Sequence, residues 1–294
     1  EAAAVSPSLG GLDSLAPWVR TVPAPDAVAL GMLDAASLGA WFAGQVEAAI
    51  DDLEAAGIRF GCLLLDSVLA SDGVLADPAG FLAPAREVVA RRGGLYVADE
   101  VQPGFGRLGD AFWGFARHGS GASPFVPDLV VMGKPMGNGM PVAAVAMRPD
   151  VVAGFGRDVR YFNTFGGNPV SIAAAQAVLD VLVQEELQAH ARVVGEHLRA
   201  GLRALAHEQP AIAEVRGAGL FIGVRLSAPG GDVEALTREV VDGLRRRRVL
   251  VGTAGQHNDV LKIRPPLVFS RADADRLLAE LGATLVAVPS RGQR

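Results

Sequence analysis

Apolar residues recur at helical spacing over residues 40–56, at Trp41, Phe42, Val46, Ile50 and Leu53, and Gly57 stands where such a helix would end. An apolar run over 60–65, closed by Asp66, predicts a buried strand. Helical spacing returns over 81–92, with Pro84 in the first turn and Gly93 and Gly94 behind it. Two more short apolar runs follow, 95–98 before Asp99 and Glu100, and 128–132 before Gly133 and Lys134. Strands alternating with helices predict right-handed crossovers and an α/β fold whose mainly parallel sheet is flanked by helices. Residues 141–147 predict a further strand. The loop before it is too short for a parallel crossover, so it runs antiparallel to its predecessor or lies in another layer.

From Asn168 and Pro169 an Ala-rich helical pattern runs toward His207, with a break near Glu185, and Pro210 ends it. A strand over 219–226, a helix over 233–247, a strand over 260–264 and a helix over 272–281 form an α+β tail with its own apolar pattern. Two domains are expected: a ligand-binding large domain over 1–175, and a linking helix with a smaller C-terminal domain over 176–294. The first 39 or so residues, rich in Ala, Gly, Pro and Ser, read as loop with short elements.

Composition narrows the classes. The 294 residues are 50% hydrophobic with a mean hydropathy of +0.29, too apolar for disorder. No apolar run reaches the roughly 18 residues of a membrane span, so no membrane partner is expected. A net charge of −5 argues against nucleic acid as a partner. The arginines at 245–248 read as the basic end of a helix. The single cysteine, Cys62, allows no internal disulfide and fits a cytoplasmic location. The five histidines lack metal-ligand spacing, so no metal is expected. No secretory signal is visible, and Pro7, Gly10 and Gly11 interrupt any early apolar stretch.

Ligands of open α/β sheets bind beyond the carboxyl ends of the strands, where Asp66, Asp99 and Lys134 gather. Of the 27 basic residues only Lys134 and Lys262 are lysines, so amine chemistry on a side chain has two candidates. Gly104, Gly106 and Gly109 spell a G-x-G-x-x-G, but no regular helix follows, which makes a dinucleotide site a poor reading. Pro135 after Lys134 excludes a P-loop. A carboxylate at a strand end needs a partner. Asp99 with Lys134 therefore reads either as a salt bridge or as a pair holding a pyridine nitrogen and a Schiff base, and spacing leaves the two even.

Three segments together carry a family resemblance. Residues 99–107 (DEVQPGFGR), 133–139 (GKPMGNG) and 164–169 (TFGGNP) resemble the class III aminotransferases of fold type I, and 261–267 (LKIRPPL) matches as well. The resemblance runs from about Trp18 to the C-terminus. It implies pyridoxal 5′-phosphate as cofactor, with Lys134 as Schiff-base lysine and proton shuttle and Asp99 on the pyridine nitrogen. It implies that Val101 packs on the ring, that Gln102 approaches the phenolic oxygen, and that Thr164 reaches the cofactor phosphate of a neighbouring subunit in a homodimer with shared sites. Arg264 resembles the arginine that takes a substrate carboxylate. The large domain is then the cofactor-binding one.

Two departures qualify this. The chain begins at Glu1, after the position of the family's phosphate loop, which predicts either a piece of a longer protein or a degenerate relative. The family's Glu-Pro is Asp66-Ser67 here, and the glutamate that gates the carboxylate arginine in ornithine- and γ-aminobutyrate-type members is Ser71. The lead-in Tyr161-Phe162-Asn163 resembles the alanine–glyoxylate and amino-phospholyase branch. The expected activity is amino transfer between an amino acid or amine as donor and a 2-oxo acid as acceptor. The alternatives are a phospho-lyase acting on a phosphorylated amino alcohol and a non-catalytic fragment.

Overall fold

Asp26 and Asp34 open the first two helices by accepting backbone N–H bonds from Ala29 and Ser37, the preferred use of a short carboxylate at an N-cap. The computed structural model describes residue 5 and residues 15–288; residues 1–4, 6–14 and 289–294, with the early Pro7, Gly10 and Gly11, lie outside the described residues. Helices α1 (Ala27–Leu30) and α2 (Ala35–Ala55) lead into β1 (Cys62–Asp66), α3 (Ala83–Arg91), β2 (Leu95–Asp99), β3 (Leu129–Met132) and β4 (Ala144–Met147). Then come α4 (Pro149–Asp158), α5 (Pro169–Gln184) and α6 (Leu187–Glu208). The chain continues through β5 (Ile212–Ala218), β6 (Phe221–Leu226), α7 (Val233–Arg246), β7 (Gly252–Ala254), β8 (Val260–Ile263) and α8 (Arg271–Ala287).

The first sheet has the order β1-β2-β3-β4, parallel through β3 and antiparallel at β4, so the short loop before residue 141 did force the reversal. Helix α2 packs Leu38, Phe42, Val46 and Ile50 with Phe81, Leu82 and Val88 against Tyr96 and Ala98 of β2. The expectation that the first apolar strand is buried fails. β1 is an edge of its sheet, and Leu64 is 48% exposed because no described element covers that face. Only Leu63 and Leu65, on the opposite face, pack on the core.

The second sheet, β5-β6-β8-β7, is antiparallel throughout and has its own core, in which α6, α7 and α8 pack Leu198, Val240 and Leu281 over Ile222, Val224 and Leu261. The α5–α6 break falls at Glu185 and Glu186, with Glu186 at φ 50°. α6 lies close against the first half of the chain. A Cβ on Gly109 would sit 2.6 Å from Cα of Arg192, while on its other side α6 meets the β5–β6 turn, where a Cβ on Gly195 would sit 2.1 Å from the Gly219 carbonyl oxygen. Gly106 likewise backs onto Gln188, so the second and third glycines of the G-x-G-x-x-G serve helix packing. No described helix is long and apolar enough to cross a membrane.

Candidate active site

The carboxyl ends of β1, β2 and β3 lie side by side, and their register sets Asp66 against Asp99 and Asp99 against Val131. Asp99 Oδ1 accepts the Val101 N–H at 3.0 Å, and its second oxygen has no hydrogen-bond partner among the described residues. Next to it, Glu100 is fully buried and accepts from Ser67 Oγ (2.6 Å), Gly114 N (2.7 Å) and Phe115 N (2.9 Å). Burial pushes its carboxyl up to about 7. Asp66 accepts from Val68 N and Ala70 N, while burial and the charge of Asp99 raise it to about 6. Of the two adjacent acids at 99 and 100, the outer one is thus left for a ligand and the inner one fastens the following loop.

Lys134 follows β3 through an extended Gly133 and opens a 3-10 turn, Lys134–Gly137, that is closed by the Met136 N–H on the Gly133 carbonyl. Its φ is +36°, a left-handed conformation that non-glycine residues seldom adopt outside sites that use it. The side chain is exposed and forms no ion pair among the described residues. The salt-bridge reading of Asp99 with Lys134 therefore does not hold: neither is paired. A free carboxylate oxygen and a free amine on one rim suit a group that carries both a basic ring nitrogen and an aldehyde, so the residues fit pyridoxal phosphate.

Lys134, Val101, Gln102, Phe105, Arg107 and Arg264 line a cavity of about 720 Å³ roofed by α5. Arg264, beyond β8, donates to Gln102 Oε1 and lies 5.8 Å from the Phe221 ring centre. Thr164 does not line this cavity. It is exposed in the turn before α5, where Asn163 Oδ1 accepts the Phe165 and Gly166 N–H groups and Asn168 caps the helix.

One site residue, Arg107, escaped the sequence reading, and the second candidate lysine, Lys262, lies outside this cavity. Lys262 stands two positions before Arg264, a spacing that places both on one side of an extended strand. Its ammonium is lowered by burial and by Arg264, against the attraction of Asp66 and Asp72. Arg107 donates through Nη1 to the Leu220 and Pro265 carbonyls at 3.2 and 2.8 Å, and burial with the Arg264 charge beside it brings it down to about 10. Nothing in a run of glycines signals Arg107.

A family model described as aminotransferase class III matches residues 10–285. The chain is 36% identical over 280 residues to an alanine–glyoxylate aminotransferase 2-like protein of Drosophila melanogaster, covering 92% of this chain and 56% of that protein. It is 35% identical to ethanolamine-phosphate phospho-lyase homolog 1 of Caenorhabditis elegans, over 86% of this chain and 56% of that one. Among solved structures, an Arthrobacter phospholyase in complex with phosphoethanolamine superposes with a TM-score of 0.87 at 40% identity, covering 94% of this chain and 65% of that chain. The chain thus spans less than two thirds of the length of these relatives. From the match over nearly its whole length, joined to the lysine–aspartate rim, it follows that this chain belongs to the class III aminotransferase family.

Proposed function

We propose that this chain carries the cofactor-binding and proton-transfer residues of a pyridoxal-phosphate-dependent aminotransferase that exchanges an amino group between an amino acid or amine and a 2-oxo acid. One observation carries the reading: Lys134 and Asp99 share a rim, and each is without an ion-pair partner among the described residues. The cofactor, when bound, supplies an aldehyde that takes up the amino group and a protonated ring that draws electrons from the substrate carbon. Asp99 holds the proton on the ring nitrogen, and Val101 packs the ring face. Gln102, whose Oε1 accepts from Arg264, would offer its amide N–H to the phenolic oxygen. Lys134 Nζ would hold the aldehyde end of the cofactor and would move the proton at the substrate carbon. Arg264 takes a carboxylate of the donor or acceptor.

The same reading includes a cytoplasmic homodimer in which Thr164 reaches the cofactor phosphate of the partner subunit. Its support is the exposed ring pair Phe162 (79%) and Phe165 (80%) around Thr164, apolar surface of the kind that subunit contacts cover. The division near residue 175 belongs to it too, supported by the separate cores of the two sheets.

The test is borohydride reduction in the presence of pyridoxal phosphate, followed by peptide mapping. The adduct is expected on Lys134 and lost in Lys134→Ala; an adduct on Lys262 overturns the assignment. The 40% identity to the Arthrobacter phospholyase favours a second reading, elimination of phosphate from a phosphorylated amino alcohol. Product analysis separates the two: amino transfer leaves the cofactor as the amine, elimination as the aldehyde.

A further inference from the structure

The cavity around Lys134 holds three cations, Lys134, Arg107 and Arg264, and not one carboxylate among its lining residues. Two of the three are guanidiniums set side by side. Arg107 is anchored by Nη1 to the Pro265 carbonyl, the residue next to Arg264, and it feels the charge of Arg264. Its Nε and Nη2 have no hydrogen-bond partner among the described residues, yet they are not sealed in the interior. Among the described residues, the one side-chain hydrogen-bond partner of Arg264 is the neutral amide oxygen of Gln102, which satisfies a donor and cancels no charge. Among the other charges nearby, Lys262 adds to the positive field, while Asp66 and Asp72 act on Lys262. Paired guanidiniums this poorly neutralised are costly unless something anionic meets them.

Granting that this cavity is the active site, and resting on the phospho-lyase reading above, in which Arg264 meets phosphate and not a carboxylate, we propose that Arg107 joins Arg264 to clamp a doubly ionised head on the substrate, a phosphate monoester, in preference to a single carboxylate. Lys134 is engaged at the reacting end, so the two arginines are left for the far end. A planar fork on each offers paired N–H donors, which suits a phosphate with three acceptor oxygens. A lone carboxylate satisfies one fork and leaves the other guanidinium uncompensated. The cofactor is also a phosphate monoester, and the experiment must separate the two sources.

Calorimetric titration of the full chain with O-phosphoethanolamine and with β-alanine, each with and without saturating pyridoxal phosphate, tests the clamp. Phosphoethanolamine is expected to bind about tenfold or more tightly than β-alanine. Its affinity should rise between pH 5.5 and 7.5, as its second ionisation near pH 6 is completed. Arg107→Gln should flatten that rise and weaken phosphoethanolamine about tenfold while changing β-alanine less than threefold; Arg107→Lys should restore part of the loss. If Arg107→Gln fails to fold, Arg264→Gln at the exposed partner and the wild-type pH series carry the test. Equal affinity for the two probes, or no rise with pH, overturns the proposal. Loss of phosphoethanolamine binding on adding pyridoxal phosphate also overturns it, by assigning the pair to the cofactor phosphate. Borohydride labelling of Lys134 with phosphate-free pyridoxal reads the active-site assignment separately. Labelling without a phosphate preference sinks the clamp alone, and absence of labelling sinks the site.

Discussion

Asp99 and Glu100 are adjacent acids with opposite assignments, and burial separates them. Glu100 is sealed and occupied by three donors, whereas Asp99 keeps an oxygen free. Asp99→Asn preserves shape and removes the charge. Exchange of the substrate α-proton in deuterated water should slow about a hundredfold, the scale of a lost electrostatic contact in a dry site; near-normal exchange would reduce Asp99 to a structural acid. His118 gives a pH signature. It is buried, accepts the Gly80 and Leu82 N–H groups on Nδ1, and is kept neutral down to about pH 4 by burial, whereas the unfolded chain protonates it near 6.5. Protons therefore favour the unfolded chain in that window, and the contribution of His118 to stability is lost as pH falls from about 6.5 to 4, up to about 3 kcal/mol. Asp66 and Glu100, raised to about 6 and 7, act with the opposite sign, because what they contribute is lost as pH rises. The difference in urea midpoint between wild type and His118→Phe cancels those terms and should shrink toward pH 4. A pH-independent difference would refute the assignment. Lys134 was legible as a rare lysine among glycines, and Asp99 as a strand-end acid. Arg107 was not, because its meaning comes from Pro265 and Leu220, which lie more than 100 positions away in the sequence.

Elements with a clean period were legible. α2, the β2 and β3 strands and the α5–α6 break all lie where apolar spacing, caps and prolines put them. β5 escaped because Glu214, Arg216 and Gly217 interrupt its apolar residues. The polarity serves tertiary contacts: Arg216 reaches the Gly73 carbonyl and Asp26. α4, a surface helix with no buried residue, escaped because Gly154 and Gly156 interrupt its short apolar stretch. The tightest packing lies at Gly195 on α6, where any side chain meets the Gly219 carbonyl. Gly195→Ala should destabilise by about 3 kcal/mol or more, since a backbone neighbour has nowhere to rotate. Urea unfolding measures this, and a cost below about 0.5 kcal/mol would mean that α6 stands further off.

Across the whole molecule, the sequence reveals how much apolar surface exists but not which part is covered. The β1 edge is exposed here although the apolar run over 60–65 predicts a buried strand, and the rings near Thr164 are exposed as well. If Thr164 completes a phosphate site in a partner subunit, cofactor binding and association are linked, because a ligand that favours the dimer stabilises it. Sedimentation of a dilute sample should then shift toward dimer as pyridoxal phosphate is added, and Thr164→Ala should weaken the shift. A strict monomer that binds the cofactor tightly refutes the shared site.

The close contact of Gly109, in the glycine loop behind the first sheet, with the Arg192 backbone of α6 has one more consequence. Lys134 and Asp99 ride on the first sheet, while Lys262 and Arg264 ride on or just beyond the second. The two meet where backbone touches backbone and where Arg107 ties Leu220 and Pro265 to the glycine loop. Under the proposed function that joint works as a calliper whose jaws are the amine and the guanidinium, and its opening sets the length of the molecule held between them. Side chains could yield and blur the setting; two abutting peptide planes do not. Any substitution that shims the joint, Gly109→Ala among them, changes the span between Lys134 and Arg264 from a position outside the cavity lining.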